Sequence, residues 1–234
     1  MKRFLSLFLS ASLLLGMLTA CGGGTTGEPQ TDDTPEAVSG FTPGTTEGTT
    51  YTSSFSGLTF SAPEDWIFAT QEEMDEMMGA GFDTVSEELD ISEMPRKYAE
   101  LRTIYEVVAY APDDSGNILI MYENLGLIPG GLSMTEDDYA DSIRAQLEQL
   151  ESYDYDVSQE TFHSELAGKT FTVLSAASDG INQDYYLLKI GSYMLCVIFT
   201  NGVYPAASGL TEYFSVAEAD STELKRRSYG FIIC

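Results

Sequence analysis

Between Tyr51 and Ala217 the apolar residues recur with two different periods, and each change of period marks an element. Alternation and short runs of β-branched and aromatic residues predict strands over Tyr51–Phe55, Leu58–Ser61, Thr103–Ala111, Ile118–Leu125, Tyr153–His163, Lys169–Ala177, Asp184–Ile190 and Tyr193–Thr200. The first two turn about Gly57, and Pro112 to Asn117 supplies a hairpin turn between the next pair. The last four are joined through Gly168, Ser178-Asp179-Gly180 and Gly191-Ser192. Links that short leave no room for a crossover, so neighbouring strands must run antiparallel. Met194 to Phe199 is apolar at nearly every position, as a central strand covered on both faces requires.

Helical spacing interrupts this pattern. Thr70 is placed to cap a helix with Glu72 and Glu73 in its first turn, near the positive end of the dipole, and with Met74, Met77 and Met78 on one face. Gly79-Ala80-Gly81 is expected to end it, and Pro95 to open a short second helix through Arg102. The strongest helix starts at Thr135, carries Glu136, Asp137 and Asp138 in its first turn, and aligns Tyr139, Ile143, Leu147 and Leu150 through to about Glu151. Leu210, Tyr213, Phe214 and Ala217 predict a last, short amphipathic helix. The fold class is therefore α+β, an antiparallel sheet flanked by helices. Residues 51–217, about 165 of them, suit one domain of ordinary size.

The first 50 residues follow different rules. Lys2 and Arg3 precede an apolar run from Phe4 to Leu18, too short for a span of roughly 20 apolar residues, and small residues follow it. Residues 1–20 thus form an export signal. Leu18-Thr19-Ala20-Cys21 resembles the bacterial lipobox, which implies cleavage before Cys21 and diacylglyceryl attachment to its sulfur. An ordinary signal cut elsewhere would leave Cys21 incidental. From Gly22 to Thr50 the chain is Gly, Thr, Pro, Ser and acids, with Ala37, Val38 and Phe41 as its only apolar side chains. Residues 21–50 are accordingly expected to be an anchor and disordered tether, reaching roughly 30 Å. Residues 218–234, with Lys225-Arg226-Arg227 and the apolar end Phe231 to Cys234, match no defensible element.

Charge narrows the partners. The chain has 11 Lys and Arg against 37 Asp and Glu, a net charge of −26. Losing residues 1–20 removes Lys2 and Arg3 and no acid, leaving about −28. Nucleic acid is excluded as a partner, because nothing here forms the basic stripe that neutralises phosphates. An anionic membrane would repel the domain, so attachment falls to the lipid on Cys21, whose two acyl chains suffice. The expected place is the extracytoplasmic face of the cell membrane.

Reactive motifs are sparse, and no cofactor or metal site is expected. His163 is the one histidine, so no two-histidine metal site can form; at a strand end it reads as a surface side chain. Asp113 to Asn117 lacks calcium-loop spacing, and Gly126 to Gly131 lacks the lysine and hydroxyl of a phosphate loop. Trp66, the single tryptophan, reads as a core anchor, with ligand stacking as the sharper alternative. Cys196 falls in the most apolar strand and should be a buried, unreactive thiol, although a bond to Cys234 is possible outside the cell. The thioethers of Met74, Met77 and Met78 are the candidate binding surface, either as a mobile flap or, as ordinary packing would have it, as core.

Gly57-Leu58-Thr59-Phe60-Ser61-Ala62-Pro63-Glu64-Asp65-Trp66, then a helix, a hairpin, a long helix and a meander through Gly168-Lys169-Thr170-Phe171 and Asp184-Tyr185-Tyr186-Leu187-Leu188, resembles the PsbP-like superfamily over about residues 51–217. The resemblance implies an α/β/α sandwich, a fold that recurs in bacterial lipoproteins, and a noncatalytic scaffold with no catalytic residues to transfer. The expected function is a membrane-anchored binding or accessory module for an envelope protein or small ligand. The alternative is an envelope hydrolase using paired carboxylates, which 37 acids make available by proximity alone. A two-lobed solute-binding protein needs more chain than this.

Overall fold

The computed structural model describes residues 40–88, 101–150 and 153–217. The export signal, Cys21, most of the tether, Pro95, Cys234 and the tail 218–234 lie outside the described residues.

In chain order the strands and helices are β1 (Thr45–Glu47), β2 (Thr50–Ser53), β3 (Leu58–Ser61), β4 (Ile67–Phe68), α1 (Gln71–Glu88), β5 (Thr103–Tyr110), β6 (Gly116–Asn124), α2 (Glu136–Gln149), β7 (Asp156–Val157), β8 (Phe162–Leu166), β9 (Lys169–Ser178), β10 (Ile181–Ile190), β11 (Tyr193–Asn201) and β12 (Phe214–Val216). A large sheet runs β4-β5-β6-β11-β10-β9-β7, with β8 also paired to β9, and a smaller sheet runs β1-β2-β3-β12. Every pairing between described strands is antiparallel. The meander forms as its short links demand; Asp179 and Gly180 both take positive φ, the conformation of a two-residue hairpin whose twist matches its strands.

β11 is central, and its alternation divides the core. Met194, Cys196 and Ile198 face a cluster shared with Met74 of α1 and Tyr139, Ile143 and Leu147 of α2. Leu195, Val197 and Phe199 face a second cluster built with Tyr51, Leu58, Phe60 and Phe214 of the small sheet. Both described helices therefore cover one face and a sheet covers the other. The antiparallel α+β class holds, but helices on both faces do not: among the described residues the layers run α/β/β.

Four local expectations change. Leu210, Tyr213 and Phe214 have helical spacing, yet Thr211–Tyr213 is one 3-10 turn and Phe214 begins β12, where it lies opposite Phe60 with the rings stacked at 4.8 Å. Burial against the sheet overrides the spacing. α1 continues through Gly79 and Gly81 to Glu88, since neither glycine adopts the left-handed cap that would stop it. The strand expected over Tyr153–His163 divides into β7 and β8, interrupted where the Ser158 hydroxyl bonds the Glu160 carbonyl. The domain also begins earlier than Tyr51. β1 pairs with β2, and Phe41 sits in a box of Phe55, Tyr122 and Tyr193 with ring centroids 5.0, 5.2 and 5.1 Å away. Residues 41–50, assigned to the tether by composition, are thus part of the fold.

Candidate functional site

The sulfur face of α1 lies against the core cluster. Met74 is buried, and Met77 and Met78 are half-buried against the same cluster, beside Ala69, Tyr105 and Tyr110. A capping box holds the helix start: the Glu73 amide donates to the Thr70 hydroxyl and the Glu73 carboxylate accepts from the Thr70 amide, which lowers the Glu73 pKa. Trp66 is partly buried on the opposite cluster, as a core anchor would be. His163 is exposed on β8.

Chemistry-bearing side chains gather instead between the large sheet and α2, where sequence patterning placed Tyr139 and Cys196 but gave no signal for the pair Arg102 and Glu123. Glu123 falls on the α2 side of β6 with Leu119 and Met121, and its Oε1 lies 2.5 Å from Arg102 Nε, both side chains fully shielded. Tyr139 of α2 faces the same carboxylate, and Met194, next to Cys196 on that face, is its cross-strand neighbour. Burial pushes the Glu123 carboxyl up, against the pull of Arg102 and Tyr139. Burial likewise raises the Tyr139 phenol and the Cys196 thiol, reinforced by the nearby Glu123 charge. Cys196 is a buried free thiol, as its strand predicts. The group ties the start of β5, the end of β6 and α2 together, and none of these side chains reaches solvent.

The other fully buried carboxylate among the described residues, Asp184, lies on the opposite face of the sheet, opposite Phe199. Its Oδ1 accepts from the Ser175 hydroxyl at 2.5 Å and its Oδ2 from the Ala207 amide at 2.9 Å. Asn201 completes the staple: Nδ2 donates to the Ala206 carbonyl and Oδ1 accepts from the Val203 amide, each at 2.6 Å. Ala206 and Ala207 are buried by these bonds, whereas Val203 and Tyr204 remain 62% and 68% exposed. A third, part-buried arrangement holds the strap of residues 41–44. Glu106, the extra residue of the β5 bulge, accepts from the Tyr51 hydroxyl at 3.0 Å and the Gly44 amide at 2.6 Å. A Cβ at Gly44 would stand 2.2 Å from the Tyr51 ring, so only glycine lets the strap approach. Burial, first, and then the phenol of Tyr122 and the charge of Glu106 raise the Tyr51 pKa.

No family model and no curated protein matches the chain. Solved structures similar to it include these two. One is the solution structure of cyanobacterial PsbP (CyanoP) from Synechocystis sp. PCC 6803, 10% identical, with 71% of this chain and 91% of that chain covered and a TM-score of 0.42. The other is a crystal structure from Bacteroides thetaiotaomicron VPI-5482, 16% identical, with 75% of this chain and half of that chain covered and a TM-score of 0.30.

Proposed function

We propose that the chain is exported, cleaved before Cys21 and held by lipid at the extracytoplasmic face of the membrane, where its domain acts as a noncatalytic binding or accessory module for an envelope protein or small ligand. The lipobox-like Leu18-Thr19-Ala20-Cys21 and the polar segment after it support the location. The scaffold is PsbP-like, a reading that rests on Gly57 to Trp66 and the order of elements in the sequence.

The observation that carries the noncatalytic part is where the buried charges sit. Arg102 and Glu123 lie on one face of the large sheet and Asp184 on the other, and each is engaged with another part of the fold. These two carboxylates, separated by the sheet, cannot flank one glycosidic bond. Incubating the mature protein with peptidoglycan fragments and oligosaccharides tests this directly: no turnover is expected, while envelope components are retained above an unrelated acidic control. Turnover abolished by a single Asp or Glu substitution would replace this reading with the hydrolase.

A further inference from the structure

The molecule has two unlike ends. At one, the strap around Phe41 enters beside Tyr122, at the end of β6, and Tyr193, at the start of β11. Lys169 and Lys189 also belong to this end, at the start of β9 and opposite Met194, together with the acidic first turn of α2, whose Glu136 accepts from the Lys189 amide. At the other end, Asn201 closes β11 beside Gly116, and the turns 112–115, 179–180 and 202–209 lie side by side, Gly202 next to the Gly180 carbonyl. Eight residue steps of β11 separate the ends by about 26 Å at roughly 3.3 Å per step.

The remote end carries an apolar point with an acidic rim. Val203, Tyr204 and Pro205 are consecutive and exposed. Asp113, Asp114 and Asp179 sit in the adjoining turns, and segments 111–117, 178–183 and 200–212 contain no Lys or Arg. Loop tips normally shed large apolar side chains or leave them mobile. Here the loop base is pinned by the buried Asp184 and by both polar atoms of Asn201, so the ordering cost of presenting Tyr204 is met before any partner arrives. Tyrosine on a preordered loop is the side chain that anchors interfaces best per degree of freedom lost.

Resting on the binding-module reading above, we infer that Val203-Tyr204-Pro205 is the docking point of the tethered domain, and that it inserts into an apolar hollow on a partner protein rimmed by Lys and Arg. The strap enters at the Phe41 end, so the acidic tip lies at the opposite end of β11 from the point where the chain leads in. A second copy of this chain is disfavoured as the occupant, because two acidic rims would meet. An anionic bilayer is disfavoured for the same reason.

The test uses the full lipidated chain in its own cells with a photo-crosslinking amino acid at Val203, and at Glu47 and Phe162 as control positions. The expected adduct forms at Val203 and not at Glu47, and its crosslinked partner peptide is apolar with flanking Lys or Arg. Yield should fall tenfold or more with Tyr204→Ala, as about expected for an interface anchor, and about threefold with Asp113→Asn plus Asp179→Asn, as for rim charges. Adducts only to lipid, only to another copy of this chain, or to a peptide without basic residues overturn the inference. Capture at Phe162 but not at Val203 overturns the docking point while leaving the binding module intact, and no adduct at any position removes both.

Discussion

At pH 7, Glu123→Gln takes away the carboxylate that faces the Arg102 guanidinium in a fully shielded site, and Arg102→Met leaves the buried Glu123 carboxyl without that guanidinium. Removing one member of a buried pair typically costs about 3–5 kcal/mol, whereas replacing both by apolar residues of similar volume is neutral or stabilising by about 1–4 kcal/mol. Both side chains here have zero exposure and the contact is 2.5 Å, so each single variant belongs in that range. Against a typical total stability of about 5–15 kcal/mol, that is a third or more of the fold. The Arg102→Met/Glu123→Leu double variant should recover nearly all of it, giving a coupling energy of several kcal/mol. Urea unfolding of the four proteins, followed by fluorescence with the m-value as a check on two-state behaviour, reads the cycle. Single variants costing less than about 1 kcal/mol, the range of exposed pairs, would refute a sealed structural pair.

Cys196 should resist alkylation in the native state, since burial and the nearby Glu123 charge raise its pKa, and react with iodoacetamide only at the rate of global unfolding; rapid labelling of the folded protein would contradict its placement. Gly44→Ala forces a methyl group into the Tyr51 ring and Glu106 carboxylate and should cost about 1–3 kcal/mol in the same denaturation assay, while Gly48→Ala, with open space around its Cβ but a positive φ, should cost less. The phenols of Tyr51, Tyr139 and Tyr185 are all raised by burial, so the folded state holds its protons where the unfolded chain loses them. Their contribution is therefore complete below the unfolded tyrosine value of about 10 and is lost as pH climbs above it, so tyrosinate absorbance should rise cooperatively with loss of the fold. Ionisation of all 14 tyrosines with the fold intact would show these phenols to be accessible.

Period-two patterning made the meander β9-β10-β11 and the hairpin β5-β6 legible, because each strand has a continuous apolar face and each link is too short for any other topology. Capping chemistry located both helix starts, Thr70 with Glu73 and Thr135 with Asp138. What pattern could not carry was tertiary choice. Phe214 has helical spacing but is claimed by Phe60, and Phe41 sits alone among polar residues, so its place in an aromatic box leaves no periodic trace. Glu123, Asp184 and Glu106 look like any other acids in a chain with 37 of them, and only their partners distinguish them. The candidate methionines share one face as their spacing predicts, with Met74 in the core and Met77 and Met78 half-buried beside it.

Cys21 is the proposed point of attachment. Cells producing the natural chain and Cys21→Ser, fed a labelled fatty acid and fractionated, give the most direct reading. The natural protein should carry label and sediment with the membrane. The processed Cys21→Ser protein should carry none and be released, folded as judged by the urea midpoint it shares with the natural chain. Processed Cys21→Ser protein that stays in the membrane fraction, or label retained on it, would contradict the anchor.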